Sequence, residues 1–259
     1  LIVNTIPDLN IQSGGGQCFP LHWYEKATDT NPQSGLGFDG QEAGTPDANG
    51  YIKRDSITDA ALANFRQHYS DESITKEDIF YYVYGVLHSP EYRKQYAADL
   101  KKVLPRIPYA PDFKAFSQAG RKLADLHLNY ETVEPWPVQE DAKPKGDLND
   151  LAYYRVEKMR FASLGGRNKD KSVIVFNSRI TLRGIPLEAY DYVVNGKSAI
   201  EWVMERYQVS TDKDSGIKDD PNDWCREHND PSYILNLVKR VIQMSMETNQ
   251  IVCALPPIA

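Results

Sequence analysis

The sequence predicts an α+β fold: a helical layer, an inserted antiparallel β-hairpin or small sheet, and C-terminal helices that pack back. Three observations predict it. Between residues 56 and 135 apolar and aromatic side chains recur at helical spacing. Between 136 and 196 the period shortens to β-branched, aromatic segments broken by glycine-rich turns, and from 197 to 259 helical spacing returns. Residues 1–55, rich in glycine, aspartate, asparagine and proline, precede these as an extended, loop-rich entry segment.

In the entry segment LIVNTI and CFPLHWY are the apolar pieces, and two short strands are expected there. GLGFDG at Gly35 to Gly40 matches a dinucleotide fingerprint by letter only. No strand precedes it and no helix start follows, so it reads as a surface loop, as do Gly14 to Gly16. Leu62, Phe65 and Tyr69 give a first helix after a Ser56 or Thr58 cap. Thr75 and Asp78 form a capping box for a second, with Ile79, Val83, Val86 and Leu87 on one face. Gly85 inside it costs about 1 kcal/mol relative to alanine, which predicts a close backbone approach. Ser89 and Pro90 open a third helix, striped by Tyr92, Tyr96, Leu100 and Val103 and stopped by Pro105 and Pro108. Pro111 opens a fourth, lined by Phe113, Phe116, Ala119, Leu123 and Leu126.

EPWPVQEDAKPKGD is too polar to pack and reads as a connection. YYRVEKMRF, with Tyr154, Val156 and Lys158 alternating against Arg155, Glu157 and Met159, reads as a strand. GGRNKDK is a tight turn, VIVFNSRITLRG the returning strand, and IPLEAYDYVVNG a further extended piece ending in an Asn195–Gly196 turn. Ser198 and Glu201 box the next helix, an acidic loop follows, and Asp230 with Pro231 starts the last, striped by Ile234, Leu237, Val238, Val241, Ile242 and Ser245.

The sequence offers no catalytic constellation. Cys225 and His228 could supply half a zinc site but lack a second pair, and His22, His68, His88, His127 and His228 are scattered. There is no phosphate-binding G-x-x-x-x-G-K-[ST] loop, and the one Pro-Pro, Pro256–Pro257, lacks the flanks of an amine-gripping tetrad. Three scattered cysteines, no apolar run of membrane-spanning length and no signal pattern place the chain in the cytoplasm by expectation. A start at Leu1 without methionine suits a piece of a longer protein.

YVYGVLHSPEYRKQY followed by LPRIP resembles the C-terminal specificity region of the type ISP restriction-modification enzymes. QCFPLHWY, LADLHLNYE, VNGKSAIEWVMERYQV, DKDSGIKDDPNDW and PSYILNLVKRVIQMS follow that family's order over most of the chain. The resemblance implies a double-stranded DNA recognition domain cut from a larger polypeptide, itself no catalyst and holding no cofactor or metal. Its upstream methyltransferase domain, motor and nuclease would use S-adenosylmethionine, ATP and magnesium. The alternative is a coupling module that never meets DNA, in which Tyr81, Tyr82, Tyr84, Tyr92 and Tyr96 form the interface with the methyltransferase and motor.

A formal charge of −6 is awkward for a DNA-binding chain, because affinity comes largely from neutralising phosphates. Distribution offsets it. Residues 143 to 183 hold ten basic side chains against four acidic, and the acids gather at Asp212, Asp214, Asp219, Asp220, Asp223, Glu227 and Asp230. The expected contacts are Arg155, Lys158, Arg160, Arg167, Asn168, Lys169, Lys171, Asn177, Arg179 and Arg183 on the hairpin, with Arg93 and Arg106 from the helices and Lys143 and Lys145 nearby. Arginine or lysine can read guanine and asparagine adenine, whereas Lys143, Lys145, Lys158 and Lys171 suit backbone contact and Arg93 and Arg106 are phosphate candidates. Arg93 and Arg106 could instead pair with Glu91 or Asp112.

Overall fold

The computed structural model describes residues 2–5, 18–27, 45–142 and 150–258. The Gly14–Gly16 and Gly35–Gly40 loops, Lys143 and Lys145 lie outside them. The described chain forms two compact units, 2–125 with 254–258, and 126–253, dividing within one helix.

The first unit opens with two strands, β1 (His22–Lys26) and β2 (Tyr51–Asp55), which pair antiparallel as His22↔Asp55 through Lys26↔Tyr51. Helices α1 (Asp59–Tyr69), α2 (Lys76–His88), α3 (Pro90–Gln95) and α4 (Phe113–Leu128) follow. Thr58 caps α1 by accepting from the Ala61 amide, and the Thr75–Asp78 capping box starts α2 as its sequence predicts. α3 ends at Gln95, earlier than its stripe predicts. Turns carry the chain on to Val103, which is exposed, while Tyr96 and Leu100 still pack on the core. The Tyr92 hydroxyl donates to the Arg106 carbonyl and ties the proline-flanked loop to that helix.

Gly85 is where α2 and α4 touch. A Cβ there would meet the Phe116 carbonyl oxygen at 2.3 Å, and a Cβ on Gly120 would meet the Tyr81 oxygen at 1.8 Å. Two glycines facing each other let the backbones approach, so the cost of Gly85 in helix propensity is offset by packing. The core around them holds Ile79, Tyr82, Val86, Tyr92, Phe113 and Phe116. The C-terminal tail returns here, burying Ile258, whose amide donates to Glu91.

The second unit is built on a four-stranded antiparallel sheet. Its strands β3 (Gln139–Ala142), β4 (Arg160–Gly165), β5 (Asn168–Val175) and β6 (Ile180–Arg183) stand in the order β3-β6-β5-β4. Three sequence expectations change here. The YYRVEKMRF strand is instead a short helix, α5 (Leu151–Tyr154), capped by Asp150, before β4 begins at Arg160. Tyr154 and Val156 are buried as read, but Lys158 is exposed and Met159 buried, so the alternation breaks at Lys158. VIVFNSRITLRG is two strands, because Asn177 closes a turn by accepting from the Arg179 and Ile180 amides. The polar stretch after Trp136 supplies β3, paired to β6.

A 3₁₀ turn at Leu187–Tyr190 occupies part of the segment expected to be extended. β7 (Val193–Val194) and β8 (Lys197–Ser198) then flank the predicted Asn195–Gly196 turn, whose φ values of 49° and 85° are what a two-residue hairpin loop requires. α6 (Ala199–Arg206) starts from the Ser198–Glu201 capping box. β9 (Ser210–Thr211) and β10 (Lys218–Asp219) pair across the acidic loop, followed by α7 (Asn222–Glu227) and α8 (Tyr233–Cys253). The core joins α8 to the sheet through Ile174, Phe176, Ile180, Leu182, Ile234, Leu237, Val241 and Ile242. No helix among the described residues is long and apolar enough to cross a membrane.

Candidate nucleic-acid interface

Strand register shapes the candidate interface. β4 and β5 pair as Arg160↔Val175 and Phe161↔Ile174, then the register slips to Ala162↔Asp170. Lys171, Ser172 and Val173 thus have no β4 partner, and β6 reaches along β5 only as far as Val173. Beyond that slip, Ala162 to Asp170 is a two-stranded arm paired only with itself. Its tip turns at Gly165 and Gly166, with φ of 103° and 59°, conformations that glycine adopts without a Cβ penalty. Arg167, Asn168 and Lys169 on this arm are all exposed.

Where the arm meets the sheet, the basic side chains are held. Lys171 Nζ lies 2.9 Å from Glu201 and over the rings of Phe161 and Tyr190, whose hydroxyl donates to the Lys171 carbonyl. Arg155 donates to Glu157 at 2.7 Å and to the buried Asp220 at 2.8 Å. Burial alone would raise the Asp220 carboxyl. Hydrogen bonds from Asn222, Arg155 and Lys218 outweigh it and hold the group well below the usual carboxylate range. Arg183 is paired with Asp141 across β6 and β3. Asn177 spends both ends of its amide within the protein, its oxygen on the turn amides of Arg179 and Ile180 and its nitrogen donating to the Tyr153 and Arg155 carbonyls.

The remaining cations separate into two groups. Among the described residues Lys158, Arg160, Arg167, Lys169 and Arg179 are exposed and have no carboxylate within 4.0 Å. Arg160 sits opposite Val175, at the end of the sheet where the β5–β6 turn presents Arg179, whose guanidinium lies 5.8 Å over Tyr153. Arg167 and Lys169 are at the far end, five strand steps or roughly 16 Å away measured along β4. Arg93 and Arg106 belong to the first unit, where both are exposed; Glu91 and Asp112 accept from the Ile258 and Ala115 amides.

The tyrosines of the coupling alternative are used inside the first unit. Tyr82, Tyr84 and Tyr92 are buried, and the Tyr82 hydroxyl donates to the Pro108 carbonyl. Tyr81 packs under the Arg121 guanidinium at 4.5 Å. His88 Nδ1 donates to the Tyr84 carbonyl, 2.8 Å away, and burial pushes the imidazole down to about 4. His127 meets the Thr248 hydroxyl at 2.9 Å. Cys225 is buried, whereas His228 stacks on Trp224 at the surface, and among the described residues no three His, Cys, Asp or Glu side chains converge as metal ligands.

Residues 1–237 match the model of the Type ISP C-terminal specificity domain. The chain belongs to this family. Among solved structures, the specificity domain is similar to the ATP-dependent Type ISP restriction-modification enzyme LlaBIII bound to DNA, at 37% identity and a TM-score of 0.79. That likeness covers 100% of this chain and 15% of that one. A nuclease-deletion mutant of the Type ISP enzyme LlaGI, in complex with a DNA substrate mimic, is 47% identical over 72% of this chain and 17% of its own, with a TM-score of 0.62. The DrdV–DNA complex is 36% identical over 82% and 21%, with a TM-score of 0.68. No curated protein matches the specificity domain.

One feature of the arm escaped the sequence reading. Leu164, 69% exposed, stands beside the tip. Its signal was a lone leucine inside SLGGRN, where every neighbour is small or polar.

Proposed function

We propose that this specificity domain reads double-stranded DNA sequence and directs an adenine methyltransferase and a restriction nuclease of the same polypeptide to their target. The observation that carries the reading is the projecting β4–β5 arm, which ends in two cations and an asparagine whose side chains have no partner among the described residues. A two-stranded ribbon is one of the elements that the major groove, about 12 Å wide, admits. Arginine offers two parallel donors to guanine and asparagine a donor and acceptor to adenine, so Arg167 and Asn168 are the base-reading candidates. Lys169, Lys158, Arg160 and Arg179 are assigned to phosphates, and so are Arg93 and Arg106 of the first unit, each with the long reach and single sign that backbone contact needs. Arg155, Lys171, Arg183 and Asn177 hold the platform.

The DNA-bound state of LlaBIII, LlaGI and DrdV supports the choice of ligand. Translocation and methylation belong to the parent enzyme in the cytoplasm, with ATP, magnesium and S-adenosylmethionine bound by upstream domains. The sequence has no G-x-x-x-x-G-K-[ST] loop of the kind that cradles nucleotide phosphates.

The test is the affinity of the chain for a random-sequence duplex library as salt is raised, with sequencing of the retained pool. The expected result is a linear fall of log K with log salt and enrichment of one short sequence. A folded chain that retains no duplex at low salt would overturn the proposal.

A further inference from the structure

We infer that Leu164 is a specificity residue that contacts the 5-methyl group of a thymine in the recognised sequence. The inference rests on the DNA-reading role proposed above and deepens it. Exposure alone does not mark Leu164, since Leu187 and Leu104 are 60% and 55% exposed elsewhere. Its place on the arm does. The pairs Ser163↔Lys169 and Gly165↔Asn168 leave Leu164 as the extra, unpaired residue of a bulge, the strand irregularity that re-aims a side chain. The bulge sits one residue before the turn and directly across from Asn168 and Lys169.

Groove dimensions say what such a residue would meet. From Ala162 to Gly165 the arm advances three strand steps, about 10 Å. The major groove is about 8.5 Å deep, so the tip of an inserted arm reaches the base edges. Along that floor the base pairs present hydrogen-bonding groups and one apolar group, the thymine methyl. Arg167, Asn168 and Lys169 supply the polar contacts of the tip. Leu164 is the one large apolar side chain beside them, and covering it against a methyl removes apolar surface of both partners from water.

The test uses a duplex selected by the wild-type chain, with each thymine replaced in turn by deoxyuridine, which differs by that methyl alone. One replacement should weaken wild-type binding roughly four-fold, the worth of one buried methyl at about 0.8 kcal/mol. Leu164→Ala should bind the thymine duplex more weakly by a similar factor and lose nothing further on the uracil duplex, while Leu164→Met should behave as wild type. A uracil scan that is flat for the wild type would overturn the methyl contact and leave DNA reading intact. So would a uracil penalty that persists undiminished in Leu164→Ala. Loss in Leu164→Ala on every duplex alike would make the side chain a wedge between base pairs instead, and also overturns it. If the folded wild type binds no duplex, the DNA-reading role itself falls and this inference with it.

Discussion

The arm of the β4–β5 hairpin and the point where it joins the sheet carry the same kinds of residue and treat them differently. At its base Lys171 is matched by Glu201, with Arg155 against Asp220 and Arg183 against Asp141 close by. On the arm Arg167 and Lys169 stand on one side of a glycine turn with no carboxylate partner among the described residues. What distinguishes a platform cation from a candidate contact is therefore the partner, not the charge. A paired cation has already exchanged its hydration for a carboxylate, and would have to release it to meet a phosphate. An unpaired, exposed one has no such cost.

The largest effect that sharpens this contrast is structural. Arg155→Ala would remove the guanidinium from Asp220 and should lower stability by about 2 kcal/mol, less than the cost of an uncompensated buried charge because Lys218 and Asn222 still meet the carboxylate. Chemical denaturation followed by far-UV circular dichroism checks it. A loss below roughly 0.5 kcal/mol, the scatter of ordinary surface substitutions, would mean that the base is not held by its ion pairs.

Acid should act next, through two groups with separate pH windows. His88 is folded with its imidazole pushed down to about 4, so the unfolded chain binds the proton first. Its contribution is fully present above the ordinary histidine value of about 6.5 and is lost as pH falls toward 4, up to ~2 kcal/mol after allowing for partial exposure. The Asp220 carboxyl is depressed, so its contribution is present above the ordinary value of about 3.9 and disappears as pH falls through its lower folded value. Stability measured against pH should therefore decline in two stages. His88→Gln should flatten the first and Asp220→Asn the second; a variant that alters the other's window would contradict the assignment.

Much of the fold was legible because its signals are local. The Thr75–Asp78 and Ser198–Glu201 boxes and the Asn195–Gly196 turn each depend on residues at most three apart, and all appear as read. β3 was missed because QEDA becomes a strand only by pairing with β6, some 40 positions later, a case of tertiary context deciding for a polar segment. The break at Asn177 was hidden inside a β-branched run, and α5 at the head of an apparent alternation that exposed Lys158 and buried Met159 do not respect. Gly85 announced a close approach, but its counterpart Gly120 could not be named without knowing which helix crosses it.

Charge was the least legible feature. Counting along the chain gave a basic block and an acidic block, yet Arg155 meets Asp220 across 65 positions, Arg183 meets Asp141 across 42 and Lys171 meets Glu201 across 30. Folding thus cancels part of the basic block and, among the described residues, leaves Arg160 and Arg179 unpaired at one end of β5 and Arg167 and Lys169 at the other. Sequence neighbours set local structure, whereas the electrostatic surface is set by distant pairs.

The most direct measurement compares two double variants that remove the same charge from the two ends of this contrast. Arg167→Ala with Lys169→Ala strips the arm, and Lys171→Ala with Arg183→Ala strips the base. Duplex affinity is measured for both and for the wild type across a salt series. The arm variant should bind about ten-fold more weakly, with a salt slope flatter by up to about 2, while the base variant stays within roughly two-fold of wild type. Equal losses in both variants would mean that the chain meets DNA through its overall field, and would contradict the arm as the point of contact.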